Sequence, residues 1–387
     1  MRQVLQLLAI IMLSVASIIL LGACGTNQES SGGKDITINI LQGKVENNTQ
    51  FKQIAAQYEK SHPHIKVVIT SVGGGTDYLS TLKTRMSAGD EPTIFSVAGP
   101  AEVSQFRTKI TDVSDTKAAK LALPGTLDAV KEGNKVLGLP FNLEGYGFVY
   151  NKKIFREAGI DAAKLTTYDK LLAAVKTLNA QKKQLGLKGV FSLPGQETWV
   201  MTNHLGNVFI APDFNGNVKT AYTSKKLPFT REKEYKRMLD LENDYSAGNV
   251  MQTDYSQQVS QYFGLGQVAM IQQGDWIYQT VAQIDKKFAA DGIGMIPIPV
   301  DGYAGKMPVG VPNYWAVNST RPKKEQQAAK DFLDWLYTTA QGKKDVVDLL
   351  HFVHAYKGFS GMKMQDPLSE AVFQHTQTKQ TTGWVFA

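Results

Sequence analysis

The chain has one cysteine, Cys24, in 387 residues. No disulfide can form within it, so its folded part relies on other forces. Histidine is scarce too, with six residues. His62 and His64 flank Pro63, and His351 and His354 stand at i, i+3 spacing. Neither pair has an evident third ligand, so no metal site is expected. Gly73-Gly74-Gly75 lacks the following Gly-Lys-Ser/Thr of a phosphate loop and reads as a turn. No Gly-x-Ser-x-Gly and no local Ser/His/Asp arrangement is found, and no cofactor is expected. The charge excess is small, 42 basic against 35 acidic residues, and it is scattered. Duplex recognition needs a concentrated basic patch, so a nucleic-acid partner is excluded and the lysines read as solvated surface. After residue 21 no second apolar run of membrane-spanning length occurs, and no internal repeat is visible.

What the chain does have begins at its N-terminus. Arg2 precedes an apolar run over residues 4–21, interrupted only by Gln6, Ser14 and Ser17, and followed by Gly22 and Ala23. This is the build of a secretory signal over residues 1–23; a retained membrane helix is the alternative. Leu21-Gly22-Ala23-Cys24 resembles the bacterial lipobox, in which the cysteine sulfur takes a diacylglycerol and the preceding peptide is removed. Gly22 is the less usual residue in it. Two acyl chains suffice for stable anchoring. Cys24 thus reads as a lipid anchor, not a nucleophile. Residues 24–35, rich in Gly, Ser, Asn and Gln, read as a tether that holds a domain at the outer face of a membrane.

The remainder is long for one core, so two lobes are expected. Its composition, 43% hydrophobic and 20% charged, is that of a globular protein. Alternating β-branched residues predict strands over 36–41, 65–70 and 93–97, with helices over 47–60 and 78–86 between and after them. Strand and helix continue to alternate through 146–150, 267–271 and 293–296. Residues 323–337 form an amphipathic helix with Ala328, Phe332, Trp335 and Leu336 on one face. The alternation predicts α/β lobes with mostly parallel sheets.

Residues 139–159, LPFNLEGYGFVYNKKIFREAG, resemble the first crossover and following helix of extracellular solute-binding proteins. The group includes maltose-binding protein and the oligosaccharide-binding lipoproteins of Gram-positive bacteria. Further landmarks follow in order: GQVAMIQQGDW at 266–276, GVPNYWAVN at 310–318, KDFLDWL at 330–336, AYKGF at 355–359 and DPLS at 366–369. The resemblance implies a two-lobed periplasmic-binding-protein-like α/β fold with a cleft between the lobes and several hinge crossovers. Residues 36–143 with 301–343 would form lobe 1, and residues 144–300 with 344–387 lobe 2. It implies a monomeric binding protein, not an enzyme, that closes on an oligosaccharide and delivers it to an ABC import permease. The end of the chain departs from the pattern. It stops at an apolar Trp384-Val-Phe-Ala387, which reads as a truncation that leaves Val385 and Phe386 uncovered.

Sugars offer hydroxyls that donate and accept, and apolar ring faces. Their sites combine carboxylates and amides with aromatic rings. Glu144, seven residues before Asn151, matches an acidic sugar contact of the maltose-binding type; an exposed hinge carboxylate is the alternative. Trp276 matches a stacking tryptophan, against a core role. Asp275 either binds hydroxyls or caps the next helix. Of Tyr314 and Trp315, one faces the cleft and the other the core. Lys44, Glu46 and Glu102 lie on loops after strands, where α/β ligand sites gather. Trp199 lies on a loop resembling a ligand loop, and Trp384 either walls the site or packs in the core. A surface hydrolase acting on glycans is the competing class. Glycerol phosphodiesters and polyuronates are alternative ligands, but a site rich in aromatics and not in arginine favours a neutral oligosaccharide.

Overall fold

The computed structural model describes residues 36–73, 76–303 and 305–386. The signal, Cys24 and the tether lie outside them. Twelve strands appear in chain order: β1 Ile36–Gln42, β2 Ile65–Ser71, β3 Ile94–Val97, β4 Lys131–Glu132, β5 Lys135–Val136, β6 Leu139–Pro140, β7 Glu144–Asn151, β8 Met270–Gly274, β9 Ile293–Ile296, β10 Met307–Gly310, β11 Tyr314–Val317 and β12 Thr381–Thr382. They build two main sheets, one in each lobe. The first runs β2-β1-β3-β11-β6, and the second runs β12-β10-β7-β8, with β9 also on β7.

Only part of the expected parallel pairing is present. β1 lies parallel to β2 and β3, but β11 is antiparallel to β3 and to β6. In the second sheet β7 is antiparallel to β8, β9 and β10. The reason is the crossover. β7 carries the chain out of the first lobe, and β10 carries it back with Gly310 opposite Glu144. A returning strand beside an outgoing one must run against it.

Helices cover the sheets as their patterns predict. Phe51, Ile54, Ala55 and Tyr58 of the Asn48–Ser61 helix are buried. So are Ala328, Phe332 and Leu336 of the Lys323–Thr338 helix, whereas Trp335 is half-buried. Phe332 and Trp335 both meet Tyr58 edge-on, at 5.0 and 5.3 Å. Residues 353–357 pair with residues 122–143, ahead of the outgoing crossover strand. Leu143 bridges Val353 and Ala122 bridges Tyr356, while the Tyr356 hydroxyl donates to the Pro140 carbonyl at 2.5 Å. The rings of Phe352 and Tyr356 are buried in the main hydrophobic core. The chain then crosses again, and the Pro367–Gln377 helix packs on β7, β9 and β10. The lobes also touch where Lys219 Nζ donates to the Lys131 carbonyl at 3.1 Å.

The apolar end is not bare. Val385 is buried against Ala211 and Phe214, and its N–H donates to Asn207 Oδ1 at 2.7 Å.

Candidate ligand-binding site

Lys44 follows β1, and Glu144 opens β7. Both are buried, and they pair directly across the crossover. Glu46 Oε1 lies 3.7 Å from the same ammonium. Burial works against the Lys44 charge, but the two carboxylates outweigh it and hold its pKa above the ordinary value. Asn142 Nδ2 also donates to Glu144 Oε1, at 3.3 Å. Among the described residues Glu144 Oε2 has no hydrogen-bond partner, which leaves acceptor capacity for a ligand.

Asp275 caps no helix. Its Oδ1 accepts the Gly145 N–H at 3.1 Å and so ties the end of β8 to β7. Burial, with Glu144 and Asp366 nearby, raises its pKa well above its ordinary value. It therefore takes the neutral form more readily than an ordinary carboxyl.

Trp276 follows Gly274, and the indole folds back over that glycine. A Cβ there would lie 2.1 Å from the Trp276 ring and 2.5 Å from the Gly145 carbonyl oxygen, so the close approach needs glycine. Trp276 Nε1 donates to Gln273 Oε1 at 2.8 Å; Gln273 donates on to Gln258, and Gln258 to the Ser192 carbonyl, each at 2.7 Å. Trp199 Nε1 likewise donates to Glu197 Oε2 at 2.8 Å, and Glu197 Oε1 accepts the Tyr255 N–H at 3.2 Å. Both indole N–H groups are thus spent within the protein. What the two half-buried rings offer is their faces. They stand 6.4 Å apart at 62°, so neither stacks on the other. Tyr255, 6.3 Å from Trp199, extends the cluster.

Two hollows open at the crossovers. A small one of about 20 Å³, room for about one water, is lined by Glu46, Asn142, Glu144, Asp275 and Trp276. A larger one of about 330 Å³ lies between Gly125, Thr126 and Tyr314 of the first lobe and Asn217, Trp384 and Phe386 of the second. The structure thus gathers Lys44, Glu46, Glu144, Asp275 and Trp276, with Trp199 beside Trp276, and puts Tyr314 and Trp384 at the larger hollow. Trp384 is also mostly buried, lying over Gly310, where a Cβ would meet it at 2.6 Å.

Two candidates lie apart from this cluster. Trp315 is fully buried in the first lobe, stacked on Phe141 at 3.4 Å, with its N–H on the Tyr337 hydroxyl at 2.7 Å. It points away from the cleft because its neighbour Tyr314 points toward it. Glu102 lines neither hollow; it accepts the Ala98 N–H at 2.9 Å and serves the turn that starts the Pro100–Gln105 helix. Asn142, Tyr255 and Phe386 were missed. Asn142 sits two residues before Glu144, so strand alternation could have found it. Tyr255 and Phe386 carried no local signal.

A sequence profile of the bacterial extracellular solute-binding protein family matches residues 43–343. The chain belongs to this family. It is 25% identical over 372 residues to the multiple sugar-binding protein of Streptococcus mutans, covering 92% of this chain and 84% of that one. It is 24% identical over 338 residues to the melibiose/raffinose/stachyose-binding protein MelE of Bacillus subtilis, covering 85% and 77%. The solved structure of the solute-binding protein RafE with raffinose superposes with a TM-score of 0.74 at 23% identity, covering 90% of each chain. As a solute-binding protein, the chain has the expected two-lobed architecture, with its polar and aromatic residues gathered at the crossovers. Among the described residues no helix is long and apolar enough to cross a membrane, and no three His, Cys, Asp or Glu side chains gather to hold a metal ion.

Proposed function

We propose that this protein captures an oligosaccharide between its lobes and delivers it to an ABC import permease, itself performing no chemistry on it. The observation that carries this reading is the pair Trp199 and Trp276. Their N–H groups are tied back and their half-buried rings do not stack on each other, beside a carboxylate with spare acceptor capacity. Apolar sugar faces and sugar hydroxyls need these two things together. The relatives that bind multiple sugars, or melibiose, raffinose and stachyose, support the same class. Near Lys44 the carboxyls Glu46, Glu144 and Asp275 outnumber the single ammonium. That balance disfavours phosphodiesters and polyuronates. Lobe 1 comprises residues 36–143 and 301–343, joined by residues 353–357, and lobe 2 comprises 144–300 and the final helix and strand. The protein acts as a monomer, held at the outer face of the membrane by acylated Cys24.

A thermal-shift screen with melibiose, raffinose, stachyose and maltotriose tests the reading, since a ligand of the native state raises its melting temperature. We expect a concentration-dependent rise with at least one neutral sugar and none with galacturonate oligomers. No shift with any sugar would overturn the reading. Release of new reducing ends during incubation would turn it toward the hydrolase.

A further inference from the structure

Residues Val200–Gly206 are wound as a π-helix, a form that recurs at functional sites, and this turn carries His204. The imidazole is 7% exposed. One face stacks on Tyr146 at 4.3 Å and 16°. Trp199 meets it edge-on at 4.9 Å, Trp276 lies at 5.1 Å and 49°, and Phe386 at 6.2 Å. The half-buried rings of the candidate site thus converge on one buried imidazole.

Its hydrogen bonding is unfinished. Nδ1 has no partner. The obvious candidate, the Tyr146 hydroxyl beside it, is already used: it donates to the His204 backbone carbonyl and accepts from Asn207 Nδ2, each at 2.9 Å. A buried polar atom left unpaired is costly, and a phenyl ring would fill the same aromatic surroundings without that cost. Burial also keeps the ring neutral, with its pKa pushed down to about 3. A neutral imidazole carries a donor on one ring nitrogen and an acceptor on the other, and a sugar hydroxyl can pair with either one.

We infer that His204 is a ligand contact: its imidazole hydrogen-bonds a hydroxyl of a sugar ring held against Trp199 and Trp276, and so determines which sugars the cleft accepts. This rests on the sugar reading of the cleft. The energetic logic is that a site built to hydrogen-bond a hydroxyl rejects analogues that lack it far more strongly than an apolar pocket could.

The test is titration calorimetry of wild type, His204→Phe and His204→Gln with melibiose, raffinose and stachyose, alongside melting temperatures without sugar. His204→Phe should melt no lower than wild type and lose at least tenfold in affinity for the sugar wild type binds tightest. His204→Gln should recover part of that loss. Unchanged affinity in a stable His204→Phe protein overturns the inference. Should the Phe variant not fold, ¹⁵N-histidine labelling of wild type decides. The imidazole signal missing from His204→Gln should move when the sugar is added, and a stationary signal overturns the inference. Wild type binding none of the three sugars would instead bring down the sugar reading, and this inference with it.

Discussion

Two buried groups hold opposite demands on pH. Glu242, 1% exposed, has its pKa raised by burial to about 8 from 4.5, and its Oε1 has no partner. The folded state keeps a proton that the unfolded chain gives up above about 4.5, so stability falls as pH rises from there through about 8. His204 does the reverse. The unfolded chain binds a proton below about 6.5 that the folded ring refuses down to about 3, so stability falls as pH drops through that window. We expect Glu242→Gln to raise the melting temperature more at pH 8 than at pH 5, removing a penalty on the order of a few kcal/mol. His204→Phe should flatten the acid limb instead. Equal shifts at both pH values for Glu242→Gln would show that its carboxyl ionises freely in the fold. Trp276 belongs to the same scale. Removing its face from a binding centre costs more than about 2 kcal/mol, or roughly thirtyfold in affinity, and Trp276→Ala should do so with its circular dichroism unchanged. Glu144→Gln keeps the side-chain shape and gives up a charge-assisted acceptor, so by itself it should weaken binding less than the Trp276 change. The pairing with buried Lys44 alters that, because a buried ammonium stripped of its main counterion costs roughly 3–5 kcal/mol of stability. A melting temperature within a degree of wild type for Glu144→Gln would contradict it.

At the scale of elements, β8 and its turn show how the site is placed. β8 pairs with β7 from Met270 opposite Tyr150 to Gly274 opposite Tyr146, and Asp275 then reaches back to the Gly145 N–H. Trp276 is therefore set by strand register and by the room that Gly274 leaves. Gly274→Ala adds a carbon that meets both the indole and a backbone carbonyl. The carbonyl cannot move without breaking the β7 pairing, so the indole must. We expect at least a tenfold loss of sugar affinity with a blue- or red-shifted tryptophan emission; wild-type affinity would mean the ring tolerates displacement. The elements themselves were legible because hydrophobic period is local. The helix predicted over 323–337 occupies Lys323–Thr338, and the strand over 293–296 is in place. Pairing direction was not legible: strand period is the same for parallel and antiparallel neighbours, and the reversal follows from where the chain crosses between lobes. For the same reason Glu144 and Trp276 could be singled out by motif, whereas Tyr255 and His204 reach them only through the fold.

For the whole molecule, the proposed ligand capture and the proposed membrane attachment fall on different parts of the sequence. Every residue assigned to the cleft, from Lys44 to Phe386, lies in the unit that begins at Ile36, whereas Cys24 precedes it with a spacer rich in Gly, Ser, Asn and Gln between them. Affinity should therefore not depend on the anchor. Uptake should, because a receptor released from the surface dilutes away from its permease, and one held beside it acts at high effective concentration. A serine at position 24 offers no thiol to acylate. We expect Cys24→Ser to abolish incorporation of labelled fatty acid, to move the protein from the membrane fraction to the medium, and to leave the dissociation constant for its sugar within about twofold of wild type, a change of no more than about 0.4 kcal/mol. Labelled fatty acid remaining on the variant would refute the anchor. A weakened dissociation constant in the soluble variant would show instead that residues before Ile36 take part in the cleft.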